Sequence, residues 1–125
     1  EVLLIAEDDE RVMTVISMIL KNAGYSVIPC KDGGEAVTAF ADNHEQVAAA
    51  LLDLRMPVMN GAELFREFRQ INPNIPVVLM SGNLSDPDLD GLKAQGLSGI
   101  VSKPCTRKIL LSALRDALEV TQNGL

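Results

Sequence analysis

Tryptophan is absent from this chain, tyrosine occurs once and phenylalanine three times, so no run of aromatic faces is available for stacking on bases. Positive charge is also in short supply. Eleven Lys and Arg stand against seventeen Asp and Glu, a net charge of −6. With a pI near 4.6, that balance argues against nucleic-acid binding by this segment. No apolar stretch reaches the roughly 18 residues of a membrane span, and no basic region precedes a signal-like segment. The expectation is a cytoplasmic protein without membrane contact. Its two cysteines, Cys30 and Cys105, have no metal-like or redox-like spacing and read as free thiols. Cys105 follows Pro104 near an expected helix start, a setting that lowers a thiol pKa. The single histidine, His44, sits in a polar loop (Asp42-Asn43-His44-Glu45-Gln46) and reads as solvated.

Apolar residues make up 47% of the 125, enough for one well-buried core and too little chain for a second. The chain is read as a single domain, residues 1–125. Because it opens with Glu1 almost inside the first strand, it is expected to be a module cut from something longer.

Apolar runs suited to strands alternate five times with stretches of helical periodicity. Val12, Val15, Ile16, Ile19 and Leu20 form one helical stripe, ending at Gly24. Ala36, Val37, Phe40 and Ala41 form a second, and Leu64, Phe65, Phe68 and Ile71 a third. The last is Leu110, Ala113, Leu114, Ala117 and Leu118. Such alternation implies an α/β fold, a parallel sheet with helices on both faces. Leu3 to Ala6, Ala48 to Leu52 and Val77 to Met80 are nearly unbroken apolar runs, as strands covered on both faces should be. The run Tyr25 to Cys30 contains Pro29 and belongs on an edge, which fits the flavodoxin-like order 2-1-3-4-5. The fourth helix, around Asp86 to Gln95, carries Gly91 and only Leu89 and Leu92 as apolar stripe. It is expected to be short and loosely held.

Chemistry-bearing residues stand where these strands end. Val2 to Ala6 runs into Glu7-Asp8-Asp9-Glu10, the third strand closes on Asp53, the fourth on Ser81, and Ile100-Val101-Ser102 leads into Lys103-Pro104. In an open parallel sheet these carboxyl ends share one edge, where ligands bind. Two carboxylates 4 Å apart repel by about 4 kcal/mol at an effective dielectric near 20, so a proton or a cation must relieve them. Hard oxygen ligands at a solvent-open edge suit Mg2+. The plainer alternative is that the acidic run only decorates a helix N-terminus. Ser81 has a plain alternative as well, a turn with Gly82.

The string Asp53-Leu54-Arg55-Met56-Pro57-Val58-Met59-Asn60-Gly61, with Glu7-Asp8 before it and Met80-Ser81-Gly82 and Lys103-Pro104 after it, resembles the receiver domain of two-component response regulators. The likeness covers essentially the whole chain. It implies a (βα)5 fold and Asp53 as phosphoacceptor, fed by a histidine kinase or phosphotransfer domain. It implies Mg2+ held by Asp8, Asp53 and the Arg55 carbonyl, with Glu7 acting through water. Lys103 is implied to pair with Asp53 and then with a phosphoryl oxygen, Ser81 to hydrogen-bond another, and the Lys103-Pro104 bond to be cis. A switch of the surface formed by the fourth helix, fifth strand and last helix is also implied. On this reading the domain alone is no conventional enzyme.

Departures from the pattern are Glu7 in place of a frequent aspartate, Ile100 where many members carry an aromatic, and the bulky cation Arg55 beside the acceptor. Two alternatives stay open: a receiver within a hybrid sensor histidine kinase, and a receiver-shaped interaction module that takes no phosphate. A homodimer through the last two helices also stays open. A nucleotide-binding fold is disfavoured, because the loop after the first strand is acidic rather than glycine-rich.

Overall fold

The computed structural model describes residues 1–122. Strands β1 (Val2–Ala6), β2 (Ser26–Cys30), β3 (Val47–Asp53), β4 (Val77–Ser81) and β5 (Gly99–Ser102) alternate with helices α1 (Glu10–Asn22), α2 (Gly33–Asn43), α3 (Gly61–Ile71), α4 (Asp88–Ala94) and α5 (Arg107–Gln122). All pairings are parallel and the strand order is β2-β1-β3-β4-β5. This is the expected flavodoxin-like fold. Pro29 lies exposed in the edge strand β2, where its missing N–H costs no ladder bond on the open side.

The period-2 alternation of the strands divides the core. Leu4, Ala6, Ala50, Leu52, Val77 and Leu79 face one side with Phe40, Phe65, Phe68, Leu89 and Leu92, from α2, α3 and α4. Leu3, Ile5, Ala49, Leu51, Val78 and Met80 face the other with Ile16, Leu20, Leu110 and Leu114, from α1 and α5. Phe40 and Phe68 stack with ring centroids 4.2 Å apart, joining α2 to α3 in the scarce aromatic centre of the chain. Fully burying such a ring stabilises the fold by roughly 1.5–3 kcal/mol.

Two residues assigned to buried stripes lie outside. Val15 is 56% exposed and Ala41 is exposed. The inward arc of α1 is centred on Ile16 and Leu20, so Val15 falls on the flank. Helix α1 is capped by the Asp9 carboxylate, which accepts from the amides of Arg11 and Val12. Beyond Ala23 the chain leaves it through Gly24, at φ 99°, a conformation glycine adopts without a Cβ penalty. Helix α4 is short, as expected, running only from Asp88 to Ala94. Among the described residues, no helix is long and apolar enough to cross a membrane.

Candidate functional site

The register of the sheet brings the acidic strand ends together. Ala6 sits opposite Leu52 and Asp53 opposite Met80, so Glu7 follows directly beside Asp53 and Ser81 lies one residue past its level. Glu7, Asp8 and Asp53 each offer a carboxylate oxygen, and these oxygens all lie within 4.8 Å of one another. Glu7 and Asp53 are buried, at 1% and 3% exposure, while Asp8 faces solvent. The plain reading of the acidic run holds only for its second half. Asp9 caps α1 and Glu10 occupies its first turn, whereas Glu7 and Asp8 belong to the cluster.

Lys103 enters from the end of β5. Its amide donates to the Ser81 carbonyl at 2.8 Å, and its Nζ donates to Glu7 Oε1 at 2.9 Å and to Asp53 Oδ2 at 3.0 Å. The pairing with Glu7 was not expected from the sequence, which pointed only to Asp53. The Lys103-Pro104 peptide is cis, as the family resemblance implied. Burial draws the Lys103 ammonium down, but its bonds to Glu7 and Asp53 outweigh this and raise its pKa. Burial, and then the neighbouring Asp53, push the Glu7 carboxyl up to about 8, with Lys103 opposing.

One lysine does not balance three acids. Glu7 Oε2 is buried and has no hydrogen-bond partner, a condition that normally costs about 1–3 kcal/mol or more. A divalent cation, or a water bound to it, fits this gap. The donor set is all oxygen, with one solvent-facing carboxylate, which suits a metal that keeps several waters. The residues present therefore fit Mg2+.

The loop after β3 is built around Asp53. The Arg55 amide donates to Asp53 Oδ1 at 3.2 Å, so both Asp53 oxygens have donors. A β-carbon on Gly61 would come within 2.6 Å of the Asp53 carbonyl and 2.9 Å of the Leu54 Cα, so only glycine lets α3 start this close to the strand end. Asn60 and Glu63 then form a reciprocal cap on α3. Between Arg55 and Asn60, Val58 is fully exposed with φ 69°, and the Met59 amide donates across it to the Pro57 carbonyl at 2.8 Å. A β-branched residue rarely takes this conformation.

Ser81 is near but turned aside. Its Oγ donates to the Asn83 carbonyl at 2.9 Å and accepts from the Asn83 amide at 3.1 Å, the turn role that its residue type allows. The Arg55 guanidinium also points away from Asp53 and pairs with Asp86 and Asp88. Neither aspartate stood out in the sequence as more than the approach to α4. Cys105 corrects an expectation: burial raises its thiol pKa against a lowering by its own amide. It precedes Thr106, whose hydroxyl accepts from the Ile109 amide and caps α5, so the thiol stands outside the helix's first turn. Cys30 is pushed to about 12 by burial and by Glu35 and Asp32. Ile100 is half-buried against the α4 side of the core.

A parallel five-stranded sheet whose carboxyl edge gathers acids, a hydroxyl and a lysine defines a class, and comparison with known proteins agrees with it. Residues 3–115 match the family model of the response regulator receiver domain, and the chain belongs to that family. It is 33% identical over 117 residues to the transcriptional regulatory protein GlrR of Escherichia coli, covering 94% of this chain and 26% of that protein. It is also 33% identical to the autoinducer 1 sensor kinase/phosphatase LuxN of Vibrio harveyi, covering 92% of this chain and 13% of the relative. The chain thus spans about a quarter of the first relative's length and about an eighth of the second's. Among solved structures, the chemotaxis protein CheY4 of Vibrio cholerae superposes with a TM-score of 0.86 at 27% identity, covering 94% of this chain and 98% of that one. The receiver domain of the hybrid histidine kinase CckA superposes at 0.80 and 25%, covering 94% and 99%.

Proposed function

We propose that this receiver domain accepts a phosphoryl group on Asp53 from the phosphohistidine of a histidine kinase or phosphotransfer domain. The observation that carries the reading is the Lys103 ammonium held between Glu7 and Asp53 at 2.9 and 3.0 Å, beside a buried carboxylate oxygen with no partner. Phosphoryl transfer asks for positioning and charge neutralisation more than for covalent help, and this arrangement supplies both.

In the proposed step an Asp53 carboxylate oxygen bonds to phosphorus as the bond from phosphorus to the donor's imidazole nitrogen breaks. The electron pair leaves with that nitrogen. The Arg55 amide and Lys103 hold the carboxylate in place for in-line attack. Lys103 then follows the charge outward to a phosphoryl oxygen, and Ser81 exchanges its bonds with Asn83 for another. Asp8, Asp53 and the Arg55 carbonyl would hold Mg2+, with Glu7 acting through water. When bound, the ion supplies positive charge to the entering phosphoryl oxygens.

An apolar groove of about 670 Å3 beside Lys103, lined in part by Val12, Val15, Ile19 and Leu110, supports docking of the donor next to the acceptor. Turning Ser81 would disturb the loop after β4 and so the face made by α4, β5 and α5. Incubation with Mg2+ and acetyl phosphate, followed by intact mass measurement, tests the reading. One added phosphoryl group, abolished by Asp53→Asn, is expected. No mass change would leave a receiver-shaped interaction module instead.

A further inference from the structure

Arg55 sits two residues beyond the acceptor and has a divided role. Its backbone amide donates to Asp53 Oδ1, while its guanidinium reaches the end of the loop that joins β4 to α4. There it pairs with Asp86, which is only 8% exposed, and with Asp88 at 3.3 Å. The other Asp86 oxygen accepts from the Asp88 amide at 3.0 Å, and the Asp86 carbonyl accepts from the Leu89 amide at 3.1 Å. Asp86 is therefore the joint between Arg55 and the first turn of α4.

Little else fixes that helix. Pro87 gives it no side-chain cap, it runs for seven residues, and it buries only Leu89 and Leu92. Gly91 adds backbone freedom in its middle. The loop that leads into it is tied at its start by Ser81 to Asn83 and at its end by Arg55 to Asp86.

We propose that Arg55, through Asp86 and Asp88, latches the start of α4 to the acceptor loop, and that a phosphoryl group on Asp53 opens this latch by offering the guanidinium a competing anion. The release rests on the phosphoacceptor reading above; the latch itself does not. Converting the carboxylate to an acyl phosphate adds about one negative charge and extends it outward from Asp53. A planar guanidinium binds phosphoryl oxygens in a fixed two-point geometry, and turning the fork toward Asp53 withdraws Nη2, the one nitrogen that holds both Asp86 and Asp88. A contact made in only one of two states biases the equilibrium by its own strength, so losing it favours the displaced position of α4.

Amide hydrogen exchange across Asp88–Ala94 tests this with two variants. Arg55→Gln removes the cation, and Asp86→Asn removes the charge while keeping an oxygen for the Asp88 amide. Without Mg2+ or donor, each is expected to raise α4 exchange about five- to tenfold and leave α3 unchanged. The wild-type protein, once its mass shows one phosphoryl group, should show the same rise, and phosphorylated Arg55→Gln should gain little more. Donor-free variants with wild-type α4 exchange would overturn the latch. If phosphorylation raises α4 exchange as much in Arg55→Gln as in wild type, the proposed release is wrong. Failure of the wild type to take up the group would defeat the phosphoacceptor reading and the release together, while the donor-free comparison still decides the latch.

Discussion

Helices α3 and α4 flank the same strand and both begin at the edge that carries the site, yet they are held in different ways. Helix α3 starts with a reciprocal Asn60–Glu63 cap and buries Leu64, Phe65 and Phe68. Its first residue, Gly61, lies against the backbone of Asp53 and Leu54. Helix α4 has no side-chain cap on Pro87, two buried leucines and an ion pair to a residue of another loop. The contrast separates a firmly packed helix beside Asp53 from one that few contacts hold. Few buried contacts are what low local stability consists of.

The largest test of the contrast lies on the α3 side. Phe68→Ala should cost roughly 3–5 kcal/mol in urea unfolding, because Phe68 is fully buried and stacked on Phe40.

Next comes pH in the absence of metal. Below about 4.5 Glu7 is protonated folded and unfolded alike; up to about 8 the folded protein keeps a proton that the unfolded chain has lost. Stability should therefore fall as pH rises through that window, by a few kcal/mol at most, and level off above it. Glu7→Gln should remove the slope. Unfolding curves at a series of pH values, with and without Mg2+, check this; the ion should oppose the fall, since it favours the ionised carboxylate.

Gly61→Ala is expected to cost about 1–3 kcal/mol and to weaken Mg2+ binding, measured by calorimetric titration, because the added carbon meets backbone rather than a yielding side chain. On the α4 side the sign reverses. A β-carbon on Gly91 meets nothing within 4 Å, so Gly91→Ala should stabilise by about 1 kcal/mol and slow α4 exchange. An α4 that exchanges as slowly as α3 in the wild type would remove the contrast altogether. The smallest effect belongs to Val58→Asn, which relieves a left-handed β-branched residue with no buried side chain; a gain of about 0.5–1 kcal/mol in the same unfolding assay is expected.

Much of the fold was written in local pattern. Pro29 marks the edge strand, the continuous runs of β1, β3 and β4 mark strands covered on both faces, and Gly91 marks a weak helix. Those signals are legible because propensity and period act over a few residues. The stripe on α1 was read too wide at Val15, since periodicity gives the existence of an apolar face but not where its rim meets solvent. Likewise, residue types at strand ends named Glu7, Asp8, Asp53, Ser81 and Lys103 as members of one site, while the orientation of Ser81 toward Asn83 was a choice between two bonds that its sequence neighbours allow equally.

Strand identity, strand order and the list of chemically capable side chains follow from the order of residues, because each depends on short-range pattern and on the handedness of crossover connections. Which acid is buried without a partner, which carboxylates share Lys103, and where the Arg55 guanidinium goes depend on distances between segments up to ninety-six residues apart. Electrostatic interaction and burial act through space, and space is assigned only when the helices close over the sheet.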